Sequence, residues 1–178
     1  TLIYALAKNP EWQEKVRDEA RAFNKPALVF DDLGDATVTE LCMKEALRMY
    51  PPLPSMPRLT TRAVEFDGYL IPANTLVSVS PVHTHYMKEI WTDPDTFDPL
   101  RFAPPREEQK KHPFAWVPFG GGAHMCIGQH FADLQVKAIM HQLVLRFRWS
   151  VPHDYEIPYQ LVPIAKPKDD LPIRLERI

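Results

Sequence analysis

Residues 119–128 read FGGGAHMCIG, and four of the six glycines in the 178-residue chain fall inside this window. Glycine lacks a Cβ, so three in a row let the backbone pass close to another body. A helical hydrophobic pattern starts directly behind, at Ile127 or Gly128. It runs to about Arg146 through Phe131, Leu134, Val136, Ala138, Ile139, Leu143 and Val144. The stretch reads as a close-wrapped loop that delivers one thiol, Cys126, to a helix start. Amides and the helix dipole at such a place favour a negative sulfur.

What the loop lacks narrows what it holds. There is no Gly-Lys-Ser/Thr ending for a phosphate loop, and the glycines are contiguous instead of spread as GxGxxG. Two readings stay open on these residues alone. One is a cysteine nucleophile with His124 or His130 as base, although a two-residue separation seldom aligns such a pair. The other is a thiolate held to iron. The glycines would then face a flat macrocycle, Phe119 would cover the sulfur side, and the thiolate would push electron density onto the metal.

Upstream of the loop, residues 91–102 (WTDPDTFDPLRF) have no period and read as an ordered coil pinned by ring packing, and 106–112 as a solvated charged loop. His83 and His85 lack a third ligand at metal-site spacing and read as structural. Strands are expected at 64–66 and 69–71 around Asp67-Gly68, a two-residue hairpin signal, and at 75–79. Pro51, Pro52, Pro54 and Pro57 keep 51–57 extended. Residues 37–50 predict a helix with Leu41, Cys42, Ala46, Leu47 and Met49 inward. Residues 11–23 predict another, with Trp12, Val16 and Ala20 at spacing four. Residues 28–34 are a weakly marked linker. Residues 1–8 read as the end of a helix cut in the middle, with Leu2, Leu6 and Ile3 inward, so an upstream segment of the same protein is expected. Beyond the long helix, residues 147–152 end it, 155–164 and 171–175 are expected strands, and 165–170 a water-facing loop.

A formal net charge of −2 removes any bulk electrostatic case for nucleic acid. The two cysteines, Cys42 and Cys126, form no disulfide framework and favour a reducing compartment. No run of 18 apolar residues is present.

Glu45 and Arg48 stand three apart on the 37–50 helix, where spacing alone suggests an exposed ion pair. Together with the loop they carry a resemblance. The pattern FxxGxxxCxG is met by Phe119, Gly122, Cys126 and Gly128, ExxR by Glu45 and Arg48, and PxRF by Pro99, Arg101 and Phe102. In this order and spacing they resemble the three signatures of the cytochrome P450 monooxygenases. The resemblance implies a mainly α fold with small β-sheets (α+β), with residues 1–178 as the C-terminal part of a single P450 domain. It implies haem b with Cys126 as axial ligand and catalytic centre, Phe119, Gly120 and Gly128 shaping the loop, and His124 and Arg58 holding the propionates. Glu45, Arg48 and Arg101 become a buried network. Leu53, Ser55, Met56, Leu161 and Val162 become substrate-lining residues. Leu100 departs from the glutamate most common before that arginine, and Ala123 from a larger or polar residue.

The implied chemistry is insertion of one atom of O2 into an apolar small molecule, with retinoid-, sterol- and fatty-acid-like lipids as candidates. Electrons would come from a ferredoxin or a diflavin reductase, docking on solvated basic residues such as Lys137 or 110–112. The alternatives on the same scaffold are a peroxide-using peroxygenase and a non-catalytic haem-binding sensor. Location would be cytoplasmic in a bacterial protein, or at a membrane if an anchor lies upstream.

Overall fold

In the computed structural model, residues 1–161 and 164–178 are described. Five α-helices carry the framework: α1 (Leu2–Lys8), α2 (Pro10–Ala22), α3 (Thr37–Met49), α4 (Pro81–His85) and α5 (Gln129–Arg146). The strands are β1 (Met56–Leu59), β2 (Val64–Phe66), β3 (Tyr69–Ile71), β4 (Leu76–Val79), β5 (Phe147–Ser150), β6 (Tyr159–Gln160), β7 (Lys166–Pro167) and β8 (Arg174–Arg177). Among the described residues they form four separate antiparallel pairs: β1 with β4, β2 with β3, β5 with β8, and β6 with β7.

The main core lies where α1, α2, α3, α5 and β5 meet. Leu6, Val16, Cys42, Ala46, Val144 and Trp149 are packed there with little or no exposure. Pro10 opens α2 at its first turn, where a missing N–H costs nothing. Its stripe buries Trp12, Val16 and Ala20 as the spacing predicts, but two polar residues share it. Gln13 donates through Nε2 to the Leu6 and Trp149 carbonyls (3.3 and 3.0 Å) and accepts from the Trp149 amide. Arg17 donates through Nε to the Val144 carbonyl (2.7 Å) and through Nη2 to the Phe147 carbonyl (2.8 Å). The last carbonyls of a helix have no intrahelical donor, so this guanidinium closes the end of α5. Arg17→Met is expected to leave those carbonyls dry and unpaired. The loss is about 2–3 kcal/mol, read as a lowered urea midpoint with an unchanged slope.

A carboxylate does the same for α3, which has no cap of its own. Glu19 accepts from the Val38 and Thr39 amides and the Thr39 hydroxyl, at 2.5, 3.0 and 2.7 Å. On α3 the buried face differs from the expected one. Thr39, Cys42, Met43, Glu45, Ala46 and Arg48 are buried, while Leu41, Leu47 and Met49 are half-buried. The helix is covered on two sides, by α1, α2 and α5 and by the 92–102 coil, so a single apolar stripe does not describe it.

The Asp67-Gly68 turn is as expected, with both residues at positive φ (49° and 77°). Other expectations are corrected. Residues 56–59 are not merely extended but pair with β4, Pro57 being tolerated because a two-stranded ladder has free edges. Residues 147–150 form a strand on leaving α5, paired with 174–177. Of the expected strand 155–164, residues 162–163 lie outside the described residues; among the described ones 159–160 form a strand, and its partner lies inside the supposed loop at 166–167. Residues 30–34 form a 3-10 turn. Lys137 is buried, bonded to Glu40 (2.9 Å), Asp133 (3.1 Å) and the Leu33 carbonyl (3.0 Å), so it is unavailable for docking. Among the described residues no helix is long and apolar enough to cross a membrane.

Candidate functional site: the cysteine loop and its ionic backing

The 119–128 loop is closed by its own backbone. Cys126 N–H donates to the Phe119 carbonyl at 2.9 Å, Gly120 N–H to Val117 at 3.0 Å, and Met125 N–H to Gly122 at 3.2 Å. Gly120 and Gly122 sit at φ +77° and +70°, where a side chain is strained. A Cβ on Gly120 would also touch the Met56 sulfur at 3.6 Å. Helix α5 starts with Gly128 at its N-cap, and Ala132 N–H donates to the Gly128 carbonyl. The Cys126 thiol is exposed and stands 3.7 Å from where a Gly128 Cβ would be. Cys42 is the opposite case: it is buried, and burial pushes its thiol well above the ordinary range. Of the two cysteines, only Cys126 is open to a ligand.

Strand β1 and the turn before it face the loop. Between them lies a cleft of about 570 Å³. Phe119, Gly120, His124 and Cys126 form one wall. Leu53, Ser55, Met56 and Arg58 form the other. Leu47, Pro52 and Phe119 are shared with a second, apolar groove of about 350 Å³ running toward Ile3, Val136 and Met140. The Arg58 guanidinium rests on its neighbour, the Pro57 carbonyl (2.8 Å), and has no acid partner among the described residues. Ser55 is hydrogen-bonded to Ser78. Gly128 stands behind the thiol and not on the cleft wall. Leu161 is exposed and outside the cleft, because the β6–β7 pairing puts it in the connection beyond Gln160. Val162 lies outside the described residues.

Behind the loop, the spacing-only expectation of an exposed ion pair fails: Glu45, Arg48 and Arg101 are all fully buried. Glu45 accepts four hydrogen bonds. Arg48 supplies two, from Nε (2.7 Å) and Nη2 (2.8 Å), and Arg101 Nε and the Asp98 amide supply the others at 3.0 Å. The coil at 92–96 turns its carbonyls inward to take the remaining donors. Pro94 accepts from Arg48 (2.7 Å), and Thr92 and Thr96 accept from Arg101 (2.6 and 3.0 Å). Trp91, Phe102 and Trp116 pack as an aromatic chain beside it, ending on Phe119 at 6.2 Å between centroids.

Two buried guanidinia and one carboxylate leave a positive charge over, which a low-dielectric interior does not tolerate. The missing anion is Glu108, in the run read from sequence as a solvated loop. It is buried, accepts from Arg101 (3.1 Å) and from the Thr92 amide (3.0 Å), and takes Arg106 on its other oxygen (2.7 Å). Burial works to raise its carboxyl, but Arg106, the Thr92 amide and the Arg101 charge hold it below the usual range. Arg106 is paired in turn with Asp98. The signal that could have found Glu108 is charge arithmetic: the three-residue motif set is unbalanced by one.

The arrangement suits a flat, largely apolar group. A glycine wall admits a ring system, two apolar grooves meet at Phe119, and one open thiol stands at a helix N-terminus. Arg58 on one wall and His124 on the other supply hydrogen-bond donors to the cleft. Among the described residues no cluster of three His, Cys, Asp or Glu side chains could hold a bare metal ion; the exposed Cys126 thiol stands where it could ligate a prosthetic group.

Comparison with known proteins gives a family. The family model described as Cytochrome P450 matches residues 1–171. A Mycobacterium tuberculosis protein described as cytochrome P450 136 is 40% identical over 176 residues, covering 98% of this chain and 36% of that protein. The taurochenodeoxycholic 6 alpha-hydroxylase of Sus scrofa is 35% identical over 181 residues, covering 99% of this chain and 35% of its own length. A solved structure of retinoic acid-bound cyanobacterial CYP120A1 superposes with a TM-score of 0.87 at 30% identity, over 97% of this chain and 40% of that one. The chain thus spans little more than a third of the length of the curated relatives it matches.

Proposed function

The chain belongs to the cytochrome P450 family, and on that premise we propose that it forms the thiolate-bearing wall of a haem monooxygenase acting on an apolar substrate. The observation that carries the reading is the meeting of the exposed Cys126 thiol with Arg58 and His124 in one glycine-walled cleft. In this reading Cys126 holds the iron and Phe119, Gly120 and Gly128 shape the loop around the sulfur. Arg58 and His124 take the propionates by charge-assisted hydrogen bonds. Glu45, Arg48 and Arg101, balanced by Glu108, hold the platform rigid. When bound, haem b supplies the binding and activation of O2.

Leu53, Ser55 and Met56 stand on the wall opposite the thiol and favour apolar molecules with few polar groups. Leu161, exposed and outside the cleft, would reach the substrate only from the far side. Two relatives support a lipid-like substrate class: one is named for a bile acid hydroxylation, and one is solved with retinoic acid. Retinoid-, sterol- or fatty-acid-like molecules are accordingly the class to screen. Electrons would be delivered by a ferredoxin or a diflavin reductase. Polypeptide beyond these 178 residues would complete the single domain and the opposite face of the chamber.

The test is the absorption spectrum of the haem-loaded protein, reduced and CO-bound. A band at the thiolate position is expected, and a band at the imidazole position would sink the assignment of Cys126. Arg58→Leu and His124→Ala are each expected to keep the band position but to speed haem transfer to a scavenging apoprotein about tenfold, the worth of one charge-assisted hydrogen bond.

A further inference from the structure

His85 is fully buried, yet it belongs neither to the cleft wall nor to the ionic network. Both of its ring nitrogens are engaged. Nε2 lies 3.0 Å from the backbone nitrogen of Val117, a group that only donates, so Nε2 is an unprotonated acceptor. The proton of the neutral ring therefore sits on Nδ1, which is 3.1 Å from the Arg48 carbonyl. Arg48 returns a bond, from Nη1 to the His85 carbonyl at 2.8 Å. The imidazole is thus a strut from the last turn of α3 to the segment entering the cysteine loop. From Val117 the connection continues: its carbonyl accepts from Gly120, and the carbonyl of the intervening Phe119 accepts from the Cys126 amide.

We propose that His85 is a positioning residue, whose neutral ring fixes the cysteine loop against α3 and whose protonation releases it. The inference rests on Cys126 being the iron ligand. Protonation would put an N–H on Nε2, facing the Val117 N–H, and break the strut. The charged group that faces the ring is the Arg48 guanidinium from α3. Glu45 on the same helix is committed to Arg48 and Arg101, and the 115–118 segment carries no titratable side chain. Burial lowers the imidazole to about 4 from its ordinary 6.5, with the Arg48 carbonyl opposing and the Arg48 charge assisting. The folded ring binds its proton less readily than a free one, so the strut is intact above the ordinary value and is lost as pH falls toward 4.

The experiment follows the thiolate-type fraction of the reduced, CO-bound spectrum in the haem-loaded protein from neutral pH into acid, with melting temperature recorded alongside. His85→Gln keeps an acceptor for Val117 without a titrating ring. It is expected to hold most of the thiolate fraction at neutral pH and to move the acid midpoint down by about half a unit or more. His85→Ala, with no acceptor, is expected to lose the thiolate fraction several-fold at neutral pH, at temperatures where it remains folded. Identical acid midpoints in wild type and His85→Gln, or a His85→Ala protein with a lower melting temperature but an unchanged thiolate fraction, would overturn the proposal. A wild type with no thiolate band at any pH would instead overturn the Cys126 assignment, and this inference with it.

Discussion

Glu45→Gln is expected to leave little folded protein. The carboxylate accepts four hydrogen bonds and sits between two guanidinia with no exposure of its own. An amide of the same shape removes the negative charge and turns one acceptor atom into a donor that points at an arginine N–H. Breaking a buried pair by deleting one partner costs about 3–5 kcal/mol, because the other charge stays behind. Here two charges stay behind, sharing only Glu108. Against a typical total of about 5–15 kcal/mol, that loss moves the folded fraction by orders of magnitude. Urea denaturation and haem content per chain would both report it. Glu108→Gln is the graded comparison: Arg106 and Asp98 remain beside it, nearer water, and a loss of about 1.5–3 kcal/mol is expected. Should Glu45→Gln unfold within about 1 kcal/mol of the parent, the buried network would not be what supports the loop.

The largest effect on chemistry is expected at Cys126. The thiol is exposed, and the bonds that shape its loop are backbone bonds. Cys126→Ser should therefore fold with a stability within about 0.5 kcal/mol of the parent, the ordinary range for a surface change. It should nonetheless show no thiolate band, because a hydroxyl does not ionise to hold iron as a thiolate does. Cys42→Ser should do the reverse. That side chain is fully buried in the main core, so a hydroxyl there costs about 1–3 kcal/mol, while the band position stays in place. A thiolate band surviving in Cys126→Ser would refute the ligand assignment outright.

The three long helices were legible in the sequence to within a residue or two, because proline and glycine punctuate them and their apolar residues recur at helical spacing. The Asp67-Gly68 hairpin was legible because only a few residues tolerate its backbone. The residues gathered in the cleft were legible through motif order, since Arg58 and His124 carry no periodic signal. Glu108 was not: a run of mixed charges reads as solvated wherever it lies, and its burial depends on Arg101 arriving from another element. The pairing of β1 with β4 and of β5 with β8 was hidden for a similar reason. A strand of four residues shows its partner only after the chain has folded back. Phe131 and Ile139 on α5 fit the helical pattern yet are exposed, because periodicity reports which face is apolar and not what covers it.

The clasp of Gln13 and Arg17 has a consequence for synthesis. Apart from the Leu6 carbonyl, seven residues before Gln13, its backbone acceptors lie 127 to 136 residues further along the chain. Contacts of such separation are formed late, since the loop must close before they repay its entropy. During translation α2 leaves the ribosome long before Val144, Phe147 and Trp149 exist to receive it. For those seconds its buried stripe, Trp12 and Val16 with a polar glutamine and arginine among them, waits exposed. The two polar side chains that later lock the core also interrupt what would otherwise be an adhesive apolar face on a nascent helix.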